Sequence, residues 1–362
     1  MSSKLRMGII GCGKVAHLHA KALQQIDECS LVAVQSRNPL RAKDFAAQYG
    51  AKAFEKVEEM IAKEKVDAVI ICTPHPEHKS PAITALNAGA HVLIEKPLAI
   101  SLADCDAMID TAAKNKKNLG VVSQRRFFPS SLRMKKAITD DKIGYPSLVT
   151  VLMLGWRNEA YYQSDPWRGS WEKEGGGVLV NQAPHQLDLL QWFMNDELEE
   201  LYGVCKNINH PYIEVEDTAI AILKFKKGGI ASIVVSNSQK PGIYAKVHVH
   251  GSNGASVGVQ TDGGSMFIAG VPSVIEPPKN DIWTIPGEEN LLAQWEKEDN
   301  DFFKTIDPIG YYLRLQDHDF ILSILEEREP MVTGPEGRKT VEIFNAIYSS
   351  NKENKPVSRG IG

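Results

Sequence analysis

Residues 11–16 read GCGKVA, with glycines at positions 11 and 13. They follow a short apolar strand pattern, Leu5–Gly11, and open a helix pattern from about Val15 to Gln25. Glycines at such a turn let the backbone approach a pyrophosphate. The helix N-terminus offers its N–H groups and its positive dipole end to that anion. A glycine pair alone often marks a plain turn, whereas a pair between a strand and a helix predicts a dinucleotide site.

The end of the second predicted strand is where a dinucleotide site reads the adenine-side ribose. An NAD site usually has Asp or Glu there, which bonds the ribose 2′-hydroxyl. This chain has Gln35-Ser36-Arg37-Asn38 instead. Ser36 and Arg37 are suited to bind a 2′-phosphate, which favours NADP(H) over NAD(H). The alternative is that Arg37 is a solvated turn residue and that NAD still binds.

Two further segments carry residues that handle protons. Glu95-Lys96-Pro97 ends a predicted strand, and ligands of open α/β sheets bind at the carboxyl ends of strands. Asn181, His185 and Asp188 share one face of a predicted helix, Val178–Phe193, at spacings of four and three. Lys and His are suitable general acids and bases, because burial and neighbouring charges tune their pKa values. The competing interpretations are a surface lysine and a structural histidine.

Strands and helices alternate over the first third of the chain. The strands are short apolar runs bounded by turns, as in VDAVIICT at 66–73. Such runs predict a parallel sheet covered on both faces, here a doubly wound Rossmann domain over residues 1–127. From about residue 144 strands dominate, and 217–225, 229–236 and 245–251 predict an antiparallel sheet. We therefore expect an α/β fold whose second domain, 128–362, is α+β with a mostly antiparallel open sheet; its C-terminal helices could pack back on the first domain.

Composition argues against several other function classes. The 362 residues carry a net charge of −4, so no whole-chain basic field draws the protein to nucleic acid or anionic lipid. The longest apolar runs are far shorter than the ~20 residues that span a bilayer, and the start of the chain lacks the apolar core of a signal peptide. Five scattered cysteines without a CxxC pattern indicate reduced thiols. We expect a cytoplasmic protein without nucleic-acid or membrane partners.

Jointly, these segments resemble the Gfo/Idh/MocA family, named for glucose–fructose oxidoreductase, inositol dehydrogenase and MocA. The resemblance rests on the glycine turn, EKP at 95–97 and GGGVLVNQAPHQLD at 175–188. It covers nearly the whole chain and includes CTPHPEH at 72–78, AGAHVLIEKPLA at 88–99, QRRF at 124–127, DPWRG at 165–169 and GPEGRKTVEIFNAIY at 334–348. The resemblance implies a nicotinamide-dependent oxidoreductase that acts on CH–OH groups of sugars or polyols.

The resemblance also implies roles for individual residues. Lys96 and His185 would lie near the reacting oxygen, where we expect Lys96 to position and polarise it and His185 to exchange its proton, or the reverse. The expected substrate contacts are Asn181, Asp188, Trp156 and Tyr162. The expected cofactor contacts are Gly11, Gly13, Lys14, Val15, Ala16, Ser36, Arg37, Thr73, Pro74, His78, Glu95, Lys96, Gln124, Trp167 and Arg168.

The chain departs from the family pattern at two positions. Asn181 stands where the family commonly has Asp, and Ala183 stands where it commonly has Gly. An amide can hold a substrate hydroxyl, but it cannot stabilise a protonated His or Lys by charge. A triad with a carboxylate at position 181 is therefore not available, and either Asp188 compensates or the proton takes another route.

Aromatic residues cluster before the glycine-rich segment, at 156, 161, 162, 167 and 171. Such rings either stack on a pyranose or bury apolar area in a core. We expect hydride transfer between NAD(P)(H) and a ring hydroxyl or ketone of a sugar, glycoside or cyclic polyol, with C3 of a pyranoside suggested by family analogy. A catalytically silent cofactor-binding regulator on the same fold is the alternative, but it has no need for Lys96 and His185. Other variants keep the cofactor bound between turnovers or oxidise a ring carbon transiently before an elimination.

Three further expectations concern the surroundings of the site. Tyr244 and His248, in the predicted sheet, could reach the cleft. Family analogy predicts a homo-oligomer that assembles through the C-terminal sheet. His17 and His19 are two residues apart on one helix and diverge, and His75 and His78 have possible ligand spacing but fall in a turn beside the expected nicotinamide. We therefore expect no metal site.

Overall fold

The computed structural model describes residues 4–240, 242–263 and 276–358. The chain forms two compact units, and each combines two stretches of sequence. The first unit contains Met1–Gln124 and Asp307–Val341, and the second contains Arg125–Ile306 and Glu342–Gly362. A late segment of the chain is therefore part of the N-terminal unit.

The strands of the first unit are β1 (Leu5–Ile10), β2 (Cys29–Gln35), β3 (Lys52–Phe54), β4 (Ala68–Ile71), β5 (His91–Ile94) and β6 (Leu119–Val121). They form one parallel sheet in the order β3-β2-β1-β4-β5-β6. All four residues of β4 are buried, as expected for a central strand that is covered on both faces. The doubly wound parallel sheet predicted from the sequence is confirmed.

The helices that follow these strands are α1 (Lys14–Leu23), α2 (Pro39–Tyr49), α3 (Val57–Glu64), α4 (Lys79–Asn87) and α5 (Leu102–Asn115), with short 3-10 turns at His75–Glu77 and Gln124–Phe127. Local sequence explains where two of them begin. The side chain of Asn38 accepts the N–H of Arg41 at 3.1 Å, and that of Ser101 accepts the N–H of Asp104 at 3.2 Å. Such N-caps satisfy N–H groups that have no partner within the helix.

The strands of the second unit are β7 (Pro146–Leu154), β8 (Leu198–Lys206), β9 (Thr218–Phe225), β10 (Ile230–Ser236), β11 (Tyr244–Gly251), β12 (Ser256–Gly263), β13 (Lys279–Trp283) and β14 (Val357–Ser358). Their order in the sheet is β13-β12-β11-β7-β10-β9-β8-β14. Only the pair of β7 and β10 is parallel among these described strands. The mostly antiparallel sheet predicted for the second half is confirmed.

The helices of the second unit include α6 (Pro129–Thr139), α7 (Glu159–Gln163), α8 (Val178–Asn181), α9 (Pro184–Met194) and α10 (Leu291–Phe303). Helix α9 packs on β7 and β11, whose buried side chains include Val149, Val151, Val247 and Val249. In β9, Ile220 and Ile222 are exposed and alternate with the buried residues Ala219, Ala221 and Leu223. Among the described residues, α9 therefore covers one face of the sheet, and the opposite face, here called the open face, exposes apolar side chains in β8, β9 and β10.

Two long helices lie near the end of the described chain and precede β14: α11 (Pro308–Leu325) and α12 (Gly334–Glu353). Helix α11 belongs to the first unit and packs against α1. Its Leu313, Phe320 and Ile321 join the core that α1 forms with the parallel sheet. The first unit thus uses an amphipathic helix from the far end of the sequence to complete its core.

Candidate active site

The turn after β1 depends on glycine and leaves space at the start of α1. Gly11 has a φ of +91°, and a Cβ on it would lie 2.9 Å from the carbonyl carbon of Cys72 and from the nitrogen of Thr73. A Cβ on Gly13 would meet no atom within 4 Å among the described residues. Gly13 is also the N-cap residue of α1 and has no side chain to bond the first N–H groups. The turn therefore fits the pyrophosphate of a dinucleotide.

The register of the parallel sheet brings other predicted segments to the same edge. Ile10 ends β1 and pairs with Ile71 of β4, which pairs with Ile94 of β5. Neighbouring strands lie about 4.8 Å apart, so the end of β5, which leads into Lys96, is about 10 Å from the glycine turn. Beyond β6, the buried side-chain oxygen of Gln124 accepts no hydrogen bond from any described residue. An unsatisfied buried acceptor at this edge fits a bound ligand.

A carboxylate from another loop stands beside the basic residue that follows β2. The guanidinium of Arg37 lies 2.7 Å from the carboxylate of Glu77, and Arg37 is exposed. Ser36 is buried, and its hydroxyl accepts the N–H of Asn38 at 3.2 Å. The sequence reading missed Glu77 because this residue comes from the 3-10 turn after β4, 40 positions further along. Arg37 therefore already has a carboxylate partner in the structure, although the pair is exposed to solvent.

His78 connects the turn after β4 with the turn after β5. Its Nε2 lies 2.9 Å from the carbonyl oxygen of Thr73, and its Nδ1 lies 3.0 Å from that of Pro97. Burial lowers the pKa of His78, although these carbonyls oppose the effect. The sequence placed His78 against the cofactor, but its ring has no exposed surface. Its hydrogen bonds go to the backbone carbonyls of the two loops.

Pro184 interrupts the helix that the sequence predicted over residues 178–193. The structure has two helices there, α8 and α9, with Pro184 as the first residue of α9. Proline has no N–H to donate inside a helix and is favoured at a helix start. Asn181 and His185 therefore do not share the face of one continuous helix, which corrects the prediction. Both side chains are half-buried.

Asp188 is held by an arginine within the second unit. Its carboxylate accepts Nε–H and Nη2–H of Arg126 at 2.8 and 2.6 Å, and both side chains are buried. The sequence placed Asp188 at the substrate, as a replacement for a carboxylate at position 181. The bidentate ion pair instead ties α9 to the 3-10 turn at 124–127. Removing one partner of such a buried pair typically costs about 3–5 kcal/mol.

A buried carboxylate lies beside Asn181. The amide of Asn181 donates to Glu174 and, at 3.3 Å, to the hydroxyl of Tyr161. Glu174 is 1% exposed and also accepts the N–H of Gly169 at 2.6 Å. The sequence reading missed Glu174, although its place directly before three glycines was an available signal. The carboxyl group that position 181 lacks is therefore present next to it.

Trp167 and Arg168, both expected at the cofactor, join the same cluster. The guanidinium carbon of Arg168 lies 4.4 Å from the ring centre of Trp167 and 4.3 Å from that of Tyr161. Arg168 also donates to the Tyr161 hydroxyl, which accepts a further bond from Gln182 at 2.9 Å. Burial raises the pKa of Tyr161, so its hydroxyl is neutral. This hydroxyl connects Arg168 and Asn181 in one hydrogen-bond network.

Trp156 and Tyr162, the aromatic residues expected at the substrate, pack around the ring of His210. The ring centres lie 5.3 and 5.4 Å from that of His210. His210 is fully buried, with its nitrogens 2.7 Å from the carboxylate of Asp217 and the carbonyl oxygen of Arg157. Tyr162 is buried, whereas Trp156 is half-buried. Of the two, Trp156 is better placed to offer a ring face to a ligand.

Tyr244 and His248 lie on the open face of the second sheet. In β11 they alternate with the buried residues Ala245 and Val247, and α9 packs against this strand. His248 pairs with Asp281 of β13, which lies beyond β12 in the sheet, at 3.0 Å. Because the alternation turns the two residues away from α9 and His185, it disagrees with the expectation that they reach the cleft.

The space beside the second glycine segment, 175–177, is occupied by other residues of the protein. A Cβ on Gly177 would collide with the carbonyl oxygen of Glu216, and a Cβ on Gly176 would collide with the hydroxyl of Tyr348. The Glu216 carboxylate accepts the N–H groups of Gly177 and Leu179, both at 3.0 Å, and the Tyr348 hydroxyl at 2.9 Å. Burial raises the pKa of Glu216 to about 7 in spite of these bonds.

Comparison with known proteins agrees with this arrangement. Residues 5–123 match the model of an oxidoreductase family with an NAD-binding Rossmann fold, and residues 131–257 match the model of the GFO/IDH/MocA C-terminal domain. The chain is 31% identical to a myo-inositol 2-dehydrogenase of Thermotoga maritima over 256 residues, which cover 69% of this chain and 74% of that protein. The chain belongs to the Gfo/Idh/MocA oxidoreductase family.

Other members of the Gfo/Idh/MocA family match the chain over nearly its full length. An inositol 2-dehydrogenase of Rhizobium meliloti is 27% identical over 359 residues, 98% of this chain and 99% of that protein. The crystal structure of the WlbA dehydrogenase from Bordetella pertussis, in complex with NADH and UDP-GlcNAcA, superposes with a TM-score of 0.87 at 28% identity. It covers 100% of this chain and 99% of that one. The family predicted from the sequence motifs is confirmed.

The described part of this Gfo/Idh/MocA member contains neither a metal-binding cluster nor a membrane-spanning helix. Within the described ranges, no three His, Cys, Asp or Glu side chains gather in a way that could hold a metal ion. None of the described helices combines the length and the apolar character needed to cross a membrane.

Proposed function

We propose that the protein is an NAD-dependent dehydrogenase that transfers a hydride between the nicotinamide ring and a ring hydroxyl or ketone of a sugar or cyclic polyol. One observation carries the proposal: Lys96 follows the end of β5, about 10 Å from a glycine turn that is open to a ligand. The named substrates of the relatives, which are inositols and a nucleotide-linked sugar acid, support the substrate class.

The roles of the residues follow from what alcohol oxidation requires. When bound, the nicotinamide supplies the hydride acceptor or donor. The chain must hold the dinucleotide, polarise the oxygen and move its proton. We assign the pyrophosphate to the turn at 11–16, with Thr73, Pro74 and Gln124 further along the same sheet edge. Lys96 polarises the oxygen, and His185 exchanges its proton.

Replacing the lysine tests this assignment. Lys96→Met should lower turnover by about 10²–10⁴-fold, the usual loss for a general acid–base group, while NADH binding persists. Lys79→Met is the matched control, because Lys79 is a partly exposed lysine of the same unit that pairs with Asp104. Near-normal turnover of Lys96→Met would contradict the proposal. A parallel loss in His185→Asn would support the second role.

The substrate is tested with a panel in which every product is identified. We propose a pyranose ring hydroxyl at C3 as the reacting group, by analogy with the family. The panel contains myo-inositol, a methyl glucoside and UDP-N-acetylglucosaminuronic acid, each with NAD and NADP, and NMR locates the oxidised carbon. An inositol product would reject the pyranose assignment but keep the dehydrogenase. Silence across the panel with NADH binding retained would favour the catalytically silent regulator.

We propose NAD(H) as the working cofactor. The sequence favoured NADP(H) through Ser36 and Arg37, but the Glu77 carboxylate beside Arg37 opposes a 2′-phosphate there. The NADH in the WlbA complex is consistent with this choice. Glu77→Gln should raise the efficiency ratio of NADP to NAD several-fold, whereas Glu58→Gln, at an exposed site in α3, should leave it unchanged. An unchanged ratio in Glu77→Gln would show that Glu77 does not influence which cofactor the enzyme uses.

We propose that the open sheet face joins copies of the chain into a homo-oligomer. Exposed apolar residues of three adjacent strands lie on this face: Tyr202, Val204, Ile220, Ile222 and Ile230. Apolar patches of this kind commonly mark protein contacts. Light scattering should report more than one chain per particle, and Ile222→Lys should reduce the number. Leu325→Lys, at an exposed apolar residue of α11, is the control.

A further inference from the structure

The imidazole of His19 is buried between two carboxylates from other elements. His19 lies in α1, Asp317 lies in α11, and Glu95 follows β5. The Nδ1 atom of His19 is 2.9 Å from Asp317, and its Nε2 atom is 3.1 Å from Glu95. The side chains of His19 and Asp317 have no exposed surface, and that of Glu95 is 14% exposed. Three distant segments of the first unit therefore meet at one ring.

With both carboxylates ionised, the geometry requires a charged imidazole; burial raises the pKa of Asp317, and the charge and hydrogen bond of His19 oppose that rise. A neutral imidazole has one N–H, so one of the two carboxylates would face a nitrogen lone pair. Burial alone lowers the pKa of His19, but the charge and hydrogen bond of Asp317, followed by those of Glu95, outweigh it and raise the pKa to about 10. The imidazolium also removes the repulsion that two buried carboxylates would otherwise exert on each other.

The second oxygen of Glu95 links this cluster to Lys96. Oε2 of Glu95 accepts the backbone N–H of Lys96 at 3.1 Å, while Oε1 faces His19. Burial raises the pKa of Glu95, but His19 and then Lys96 outweigh it, so the carboxylate stays ionised. At its other end, α1 begins at the glycine turn. One carboxylate thus joins the backbone of Lys96 to the helix that starts the dinucleotide site.

We propose that His19 is a positioning residue: its imidazolium, anchored by Asp317, holds Glu95 and thereby aligns Lys96 with the glycine turn. This inference rests on the proposed catalytic role of Lys96. The inference has a consequence for the titration of Lys96. The positive charge of His19 offsets part of the negative potential that Glu95 exerts on the Lys96 ammonium. Losing that charge should make the ammonium harder to deprotonate.

The other titratable groups around the cluster do not compete for this proton. They are His78, whose pKa is lowered by burial, and the thiols of Cys12, Cys29 and Cys72. Burial raises the pKa of each thiol, to about 11 for Cys12 and about 12 for Cys29. Neutral thiols carry no charge that could replace the imidazolium. The charged groups to consider are therefore Asp317, Glu95 and Lys96.

Histidine NMR on the full chain tests the charge without any assay of turnover. In ¹⁵N-histidine-labelled protein, His19 should show both ring nitrogens protonated beyond pH 9, in a signal absent from His19→Gln. His17→Gln is the matched control, because His17 lies two residues away on the same helix, contacts Tyr49 and is only half-buried. Its loss should leave the signal in place. A neutral His19 at pH 8 would overturn the inference, whether or not the dehydrogenase proposal holds.

Kinetics test the positioning role. The dependence of kcat on pH should contain one limb that reports the ionisation of Lys96 and that is lost in Lys96→Met. In His19→Gln this limb should shift to higher pH by about one unit, and kcat should fall about tenfold with KM nearly unchanged. The double variant His19→Gln with Asp317→Asn removes the buried charge imbalance. The Tm of the double variant should recover much of the loss seen in His19→Gln. The Lys96 limb of its kcat profile should nevertheless stay at the higher pH.

A purely structural role gives a different result. The limb of the double variant would then return to the wild-type position together with its Tm, and the inference would fail. If His19→Gln does not fold, the double variant alone decides the matter. Normal turnover of Lys96→Met would remove the proposed function, while the NMR titration would still report on the charged cluster.

Discussion

The two glycine segments of this chain, at 11–13 and 175–177, each precede a helix but are used in opposite ways. In the first unit, a Cβ on Gly13 would meet nothing within 4 Å among the described residues, so the helix start is open to a ligand. In the second unit, Glu216 and Tyr348 fill the corresponding space. The anion that α1 would receive from a cofactor is, at α8, a carboxylate of the protein itself.

This difference shows that a glycine-rich turn before a helix does not by itself mark a ligand site. A helix start needs acceptors for its N–H groups, and either a ligand or the protein can supply them. What distinguishes the two cases is whether the space above the turn is empty. At Gly177 the need for glycine comes from close packing against Glu216, and the result is a fixed start for α8, which carries Asn181.

The largest effect that would test this comparison is on stability at the second segment. Gly177→Ala should lower the free energy of unfolding by more than about 4 kcal/mol, because its Cβ would collide with backbone that cannot rotate away. Urea unfolding of the full chain measures the change. Gly13→Ala is the matched control and should unfold like the wild type. Equal stability of the two variants would remove the contrast between the turns.

The internal carboxylate should also make stability depend on pH. The pKa of Glu216 is raised from its ordinary 4.5 to about 7 in the folded protein, mainly by burial. The folded state therefore binds this proton more tightly, and the contribution is present below pH 4.5 and lost as the pH rises through 7. The shift corresponds to about 3 kcal/mol.

Glu216→Gln should abolish that pH-dependent part. It should also destabilise the protein by about 1–3 kcal/mol at pH 5, because the amide NH₂ faces the N–H of Gly177 or Leu179 instead of accepting it. Unfolding curves of both proteins from pH 4 to pH 8 give the comparison. A wild-type slope that survives in the variant would assign the pH dependence to other groups.

The smallest expected effect concerns the first turn and sharpens the contrast. Gly13→Ala should weaken NADH binding at least about tenfold, equivalent to ~1.4 kcal/mol, because the added methyl group occupies the ligand's space. Its Tm should stay within about 2 °C of the wild type. Fluorescence titration with NADH and a thermal melt suffice. Unchanged NADH affinity would place the cofactor away from this turn.

Local patterns predicted the elements that are long, buried and regular. The apolar runs of β1 and β4 and the glycines at 11 and 13 were sufficient for the first sheet, because a central parallel strand is apolar throughout. The same reading missed β3, which has three residues, two of them exposed, and α3 after it. It also missed β8, whose charged outward residues weaken the strand pattern.

The partners of the site residues could not be predicted in this way. Several carboxylates meet their partners only because the folded chain brings them together: Glu77, Glu174, Glu216 and Asp317. No spacing rule connects His19 with Asp317, which lies 298 positions away. The motifs indicated Lys96 and His185 because they recur in a known family. The single helix predicted over 178–193 failed at Pro184, where the missing N–H outweighed the apolar periodicity.

The first unit takes α11 from the far end of the sequence, and this has a consequence for synthesis. As the chain leaves the ribosome, residues 1–124 emerge without Leu313, Phe320 and Ile321, which belong to their core. The whole stretch Arg125–Ile306 must be made before that core can close. The core of the N-terminal region therefore stays incomplete, with apolar surface uncovered, until α11 has been synthesised. A nascent chain halted before α11 exposes the kind of surface that chaperones bind.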